Sequence, residues 1–334
     1  MPHIPGRLRV LGATRLLCTA TNQSSSLRAS VEYCANLVRQ SDFENYLAGL
    51  LVPKKNRGAY FAVRAFNVEL ATIKDQMQGN AVAGRIRFQW WRDVIDGIFE
   101  NGDGNKLVEL SKHPVPHALA HYSRACGFSK HWLERSLEAR QRDTMQVAYE
   151  TLDELEMYAE HGHSSILYLL LESLDVRDDD SKFLASHIGV CSGLSTLLRG
   201  FPHLVSQRQI YIPRETMQKN SITDGQILAM IQGPNASGAA EIQNSHKKAL
   251  HNCIFDVASQ AHGHKDRAKE LFAKSRTASN FAINICAPLL RSMMFLEALQ
   301  GVGFDPFHPA LQKNQQLQYQ LKLLRMRYFA GGMT

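Results

Sequence analysis

Leu197-Leu198-Arg199-Gly200-Phe201-Pro202-His203-Leu204-Val205-Ser206-Gln207-Arg208-Gln209-Ile210-Tyr211-Ile212-Pro213 decides how the whole chain is read. A leucine-arginine pair closes an apolar helical run, and a Tyr-Ile-Pro turn leads out. No Asp or Glu stands between them. On the N-terminal side, Gly189, Cys191, Ser192, Gly193 and Ser195 keep one side of the run from Ser186 to Leu198 small, which allows close helix approach or room for a slender chain. Gln209 to Ile212 is the one short β-like segment.

Elsewhere the periodicity is helical. Val31, Cys34, Ala35 and Val38, then Tyr46, Leu47, Leu50 and Leu51, recur at three and four residues, with Pro53 closing the segment. Ile86, Trp90, Val94 and Ile98 form a line with Trp91, Ile95 and Phe99 beside it, and both lines are expected in the core. Pro114 opens a further helix. Phe281 to Leu299 is too interrupted by Asn284, Pro288, Arg291 and Glu297 to span a membrane and reads as a buried helix. Gly/Asn-rich Asn101 to Asn105 and Gln232 to Gly238 read as loops. The fold class expected is all-α, as one domain over residues 31–330.

Of the formal charge of +7, four units come from Arg7, Arg9, Arg15 and Arg28, so the remainder is too nearly neutral to predict a nucleic-acid partner. Residues 1–30 carry those arginines, seven Ser or Thr and no acid, the composition of a mitochondrial transit peptide. The six cysteines form no C-x-x-C pair, which suits a reducing compartment. His117 and His121, at i and i+4, have zinc-compatible spacing but lack an H-E-x-x-H signature and read as helix-surface histidines. Asp178-Asp179-Asp180 reads as a helix cap centred on Asp180 or Ser181. Gln315 to Phe329 is amphipathic, with Leu317, Leu321 and Leu324 opposite Lys322, Arg325 and Arg327. It suits either an anionic membrane surface or packing against the domain.

Arg199 through Pro213, Trp90-Trp91-Arg92, His113-Pro114-Val115 and the terminal Gly303-Phe304-Asp305-Pro306-Phe307 together resemble the squalene/phytoene synthase family over about Ser30 to Met326. The resemblance implies an isoprenoid synthase-type helical bundle around a central cavity. In that family an arginine precedes Asp-Asp-x-x-Asp in one motif, and an Asp-x-x-Glu-Asp cluster follows the leucine-arginine pair in the other. Arg64 and Arg199 match the arginines. The acid positions fall on Asn67, Val68 and Ala71, and on Gly200, His203 and Leu204.

Those acids hold magnesium on a prenyl diphosphate, because a hard cation takes oxygen ligands that carboxylates on one helical face can share. Without them no catalytic residue, metal site or cofactor is expected. Arg64, Arg199 and Tyr211 remain as candidate cavity residues. Ala65-Phe66-Asn67-Val68-Glu69 points within the family to its acid-depleted, non-catalytic branch, which supports assembly of respiratory complex I (NADH:ubiquinone oxidoreductase). That resemblance implies complex I subunits or assembly intermediates as partners, action early in assembly, and a place on the matrix side of the mitochondrial inner membrane with peripheral membrane contact. The rival expectation is an active or lipid-binding prenyl diphosphate transferase whose ligands have moved to Glu69, Asp75 or Glu172.

Overall fold

The computed structural model describes residues 10–77, 80–100, 112–145, 148–231, 240–275, 285–312 and 315–328, and among them there is no strand. The N-terminal part comprises α1 (Val10–Ser41), α2 (Phe43–Leu51), α3 (Lys54–Gln76), α4 (Ala81–Phe99), α5 (Pro114–Cys126) and α6 (Lys130–Met145). Next, α7 (Leu152–Ala159) passes through a π-helical turn at Glu160–Ser164 into α8 (Ser165–Glu172), and α9 (Asp179–Ser206) follows. The chain ends with α10 (Arg214–Lys219), α11 (Asp224–Ile231), α12 (Ala240–Lys274), α13 (Ala287–Gly301) and α14 (Gln316–Tyr328). Residues 1–9, Asn101 to Asn105 and Gln232 to Gly238 lie outside the described residues.

Helix boundaries follow side-chain chemistry. Asp42, Asn80 and Thr151 accept backbone N–H bonds at the starts of α2, α4 and α7, satisfying donors that have no intrahelical partner. Pro114 stands at the first position of α5, where its missing N–H costs nothing. The cap of α9 is Asp178, which accepts from Ser181 N at 2.9 Å, and not Asp180 or Ser181. An aspartate accepts from the N–H two or three residues on, so the first acid of the run takes the role.

The core helix is α9, packed against α7, the π turn, α8, α12 and α13. Leu184, Ile188, Cys191, Leu194 and Phe201 are buried on it, and each of the leucines, Ile188 and Phe201 contributes about 1.5–3 kcal/mol. Gly189 and Gly193 bring it against the π turn. A Cβ on Gly189 would lie 2.6 Å from the Cα and N of Ser164, and one on Gly193 would lie 2.6 Å from the Cβ of Ala159. This is the close approach expected of the small-residue side.

Two further expectations meet a different outcome. Ile86 and Trp90 are 64% and 40% exposed, while Val94 and Ile98 of the same line are buried beside Trp91 and Ile95, because the face that α4 buries starts from Gly84 and Phe88. Trp90 instead covers Trp91 and His113 edge-on. Gln209 to Ile212 pairs as no strand: α9 runs past Arg199 to Ser206, Arg208 takes a left-handed conformation, and Gln209 N–H returns to Leu204 O. The chain is then tied by Arg214 N and Glu215 N to the carbonyls of Tyr149 and Glu150. Of the helix expected over Phe281 to Leu299, residues 281–284 lie outside the described residues, and α13 (Ala287–Gly301) supplies the rest, with Leu289, Leu296 and Leu299 buried.

Candidate functional site: an arginine-lined cavity

The helices enclose a cavity of about 300 Å³ between α3, α9 and α13, floored by α6, α7 and the π turn and rimmed by the junction of α1 and α2. Four arginines line it: Arg64 on α3, Arg140 on α6, Arg199 on α9 and Arg291 on α13. Its acids are Asp42 and Glu44, and both are engaged. Glu44 accepts from Arg199 Nη1 at 2.9 and 3.0 Å and lies 2.6 Å from Arg291 Nε. Asp42 caps α2 and accepts from the amide of Asn45. Burial raises the Asp42 carboxyl above its usual range, against the pull of the Arg64 guanidinium.

Arg64 is 5% exposed, and its Nε and Nη2 have no hydrogen-bond partner. Its guanidinium sits 5.5 Å from the Tyr60 ring. Arg140 donates Nη1 to the Tyr158 hydroxyl at 2.7 Å and leaves Nε unpaired. Between them stands His163 of the π turn, whose pKa burial and the charges of Arg140 and Arg64 lower to about 3, so its ring is neutral. A π turn places a side chain that a regular helix would rotate away, and such turns gather at functional sites.

Of the sequence-predicted residues, Arg64, Arg199, Asn67, Val68 and Ala71 line this cavity. Gly200, His203 and Leu204 do not: they lie on the last turns of α9, with His203 exposed and bonded to Gln207. Tyr211 is also absent from the wall. It belongs to a neighbouring network, donating to Asp143 Oδ2 at 2.8 Å and accepting from Lys74 Nζ at 2.7 Å. Tyr149 donates to the other carboxylate oxygen at 3.0 Å. Burial and the Asp143 charge hold both tyrosines protonated.

Asp42, Glu44, Arg140, His163 and Arg291 were not found by sequence reasoning. They come from four separate segments, Asp42 and Glu44 sharing one, and no spacing rule joins the four. The one local signal is Asp42 as a helix cap.

The magnesium that the family resemblance brings to mind does not fit these residues. A divalent cation would need several free carboxylates on one wall, but the first motif's positions present Asn67, Val68 and Ala71, and the two acids present are held by Asn45 and by arginines. Glu69, Asp75 and Glu172 do not converge here, and Glu172 instead accepts from the Ser129 backbone and hydroxyl. Among the described residues no three His, Cys, Asp or Glu stand together as a metal site. His117 of the α5 pair is bonded through Nδ1 to Ser30.

Residues 38–327 match the sequence profile of the squalene/phytoene synthase family. Among characterised relatives, the cattle protein named NADH dehydrogenase (ubiquinone) complex I, assembly factor 6 (Bos taurus) is 34% identical over 287 residues, covering 85% of this chain and 78% of its own length. The human protein of the same name is 33% identical over the same span, with the same coverage. Among solved structures, a squalene synthase, HpnC, from Alicyclobacillus acidocaldarius superposes with a TM-score of 0.68 at 19% identity, covering 84% of this chain and 97% of that one. That likeness identifies the isoprenoid synthase-type helical fold. With the profile matching most of the chain and relatives above 30% identity over most of its length, the chain belongs to the squalene/phytoene synthase family.

Proposed function

We propose that this chain is an assembly factor for respiratory complex I, built on a squalene/phytoene synthase scaffold that no longer transfers prenyl groups. The observation that carries the reading is kinship across 85% of the chain with proteins named for that role. The cavity chemistry supports the non-catalytic part. By the motif resemblance Asn67, Val68 and Ala71 stand where the family has acids, and an amide and two apolar side chains offer a divalent cation no carboxylate. The proposed partners are complex I subunits or assembly intermediates, met early and released before the complex is complete. Removing the protein from its cells should lower assembled complex I on native gels and leave the other respiratory complexes in place. Normal complex I levels would refute the reading.

The proposed location is the matrix side of the mitochondrial inner membrane, with residues 1–30 as the import signal and residues 31–330 as the domain. Among the described residues no helix is long and apolar enough to cross a membrane. α14 offers peripheral contact instead. Tyr319, Leu323 and Met326 are buried, while Leu317, Leu321, Leu324 and Tyr328 are 69%, 59%, 43% and 69% exposed. At 100° per residue the exposed four fall within a strip about 60° wide on the opposite side of the helix. Arg325 and Arg327 flank that strip, one on each side, a pattern suited to an anionic interface. Vesicles rich in cardiolipin should sediment the protein, and a Leu317→Glu, Leu321→Glu double variant should stay in solution. Failure of the unaltered protein to sediment would remove this element of the proposal.

A further inference from the structure

We infer that the outer face of α4, continued by Tyr33 of α1, docks an amphipathic helix of a partner protein whose apolar stripe is flanked by carboxylates. On α4, Val82, Ile86 and Trp90 stand four residues apart and are 55%, 64% and 40% exposed. At 100° per residue they span about 80° of the helix surface, while Phe88, Trp91 and Ile95 are buried on its other side. The strip continues beyond the helix. The Trp90 and His113 rings lie 5.4 Å apart, and those of His113 and Tyr33 lie 6.3 Å apart, both pairs edge-on. Tyr33 is itself 42% exposed. One surface therefore runs across α4, the residue that opens α5, and α1. Single apolar residues are ordinary on a surface, whereas a contiguous set with Trp and Tyr at one end has the composition of a binding hot spot.

Charge selects the occupant. Arg85 and Arg87 are exposed and lie about 100° to either side of Ile86, and among the described residues neither has an ion-pair partner. A helix laid along the strip meets a cation on each edge, so acids on both of its own edges complete the contact. A second copy packed antiparallel about Ile86 would set these arginines against their own counterparts, and like charges facing each other at an interface are costly. A lipid surface would have to take in Asp93, which is exposed, bonded to Gln89, and within about 20° of Ile86 around the helix. The surface is also separate from the strip on α14, since α4 packs on α3, α5 and α6, whereas α14 packs on α2 and α13.

The inference rests on the assembly reading in taking the partner to be a protein client. The test is site-specific photocrosslinking of the full chain in its own cells, with the crosslinked peptides sequenced by mass spectrometry. Ile86→p-benzoylphenylalanine places the crosslinker in the strip at an exposed position, where folding is not at stake. Leu321→p-benzoylphenylalanine on α14 is the control. The expected result is an adduct from position 86, absent from position 321, with a helical segment of one protein that carries apolar residues three or four apart and Asp or Glu beside them. Arg85→Glu together with Arg87→Glu in the same chain should lower its yield about tenfold.

An adduct with a second copy of this chain, or with lipid alone, would overturn the inference. So would a protein adduct whose segment lacks flanking acids, one whose yield survives the charge reversal, or no adduct at all. The two readings fail separately. If the expected adduct forms with a protein outside complex I, the docking surface stands and the assembly reading loses its client. If removing the protein lowers complex I but position 86 captures nothing, the assembly reading stands and the docking surface falls.

Discussion

Gly189→Ala reverses the usual sign of a helical glycine substitution. In an open helical position the change stabilises by about 1 kcal/mol, because alanine loses less backbone entropy on folding. At Gly189 the new Cβ would meet Ser164 Oγ and approach the Ser164 Cα and N to 2.6 Å. A hydroxyl can turn aside, but backbone atoms of the π turn move only with the helices that carry them. Overpacking of this kind costs about 1–3 kcal/mol, and a backbone obstacle belongs at the upper end.

Set against the propensity gain, the net loss is about 2 kcal/mol, a fall in Tm of about 4 °C for a chain of this size. Gly263 on α12 is the internal control, since nothing lies within 4 Å of its added Cβ. Gly263→Ala should raise Tm slightly. Differential scanning fluorimetry of the two variants beside the parent checks both signs. If Gly189→Ala matched or exceeded the parent, α9 and the π turn would not be in the contact that positions His163.

Asp143→Asn should cost about 3 kcal/mol in chemical denaturation, since it leaves Lys74 without its buried anion and weakens the acceptor of two tyrosines. Glu44→Gln should cost only about 1 kcal/mol, because the Glu44, Arg199 and Arg291 side chains are about one-quarter to one-third exposed, and the loss should shrink in high salt. His163 sets a pH dependence. Its folded pKa is lowered to about 3 from an ordinary 6.5, so in that interval the unfolded chain takes up a proton the folded site refuses. Stability should fall as pH drops from about 6.5 towards 3, and His163→Asn should flatten that component of an acid titration followed by circular dichroism.

The helices were legible because their signals are local. Pro114 before an apolar run, and Gly189 with Gly193 one turn apart, each state a backbone requirement in a few residues, and the structure uses both. Trp90 shows the limit: its helical phase differs from that of Trp91 by one residue, and only the position of neighbouring helices decides which ring is buried. The cavity was half legible. Arg64, Asn67, Val68 and Ala71 share one motif and one wall, whereas Arg140, His163, Arg291 and the Asp42–Glu44 pair arrive from distant segments through tertiary packing. Tyr211 followed its motif into the right neighbourhood but into the Asp143 network, because the left-handed turn at Arg208 redirects the chain after α9.

The central claim is that this scaffold has been separated from prenyl-transfer chemistry, and diphosphate release tests it most directly. The purified protein, incubated with farnesyl or geranylgeranyl diphosphate and magnesium, should release no diphosphate above a protein-free control. Release that depends on the protein and stops when the magnesium is chelated would contradict the account.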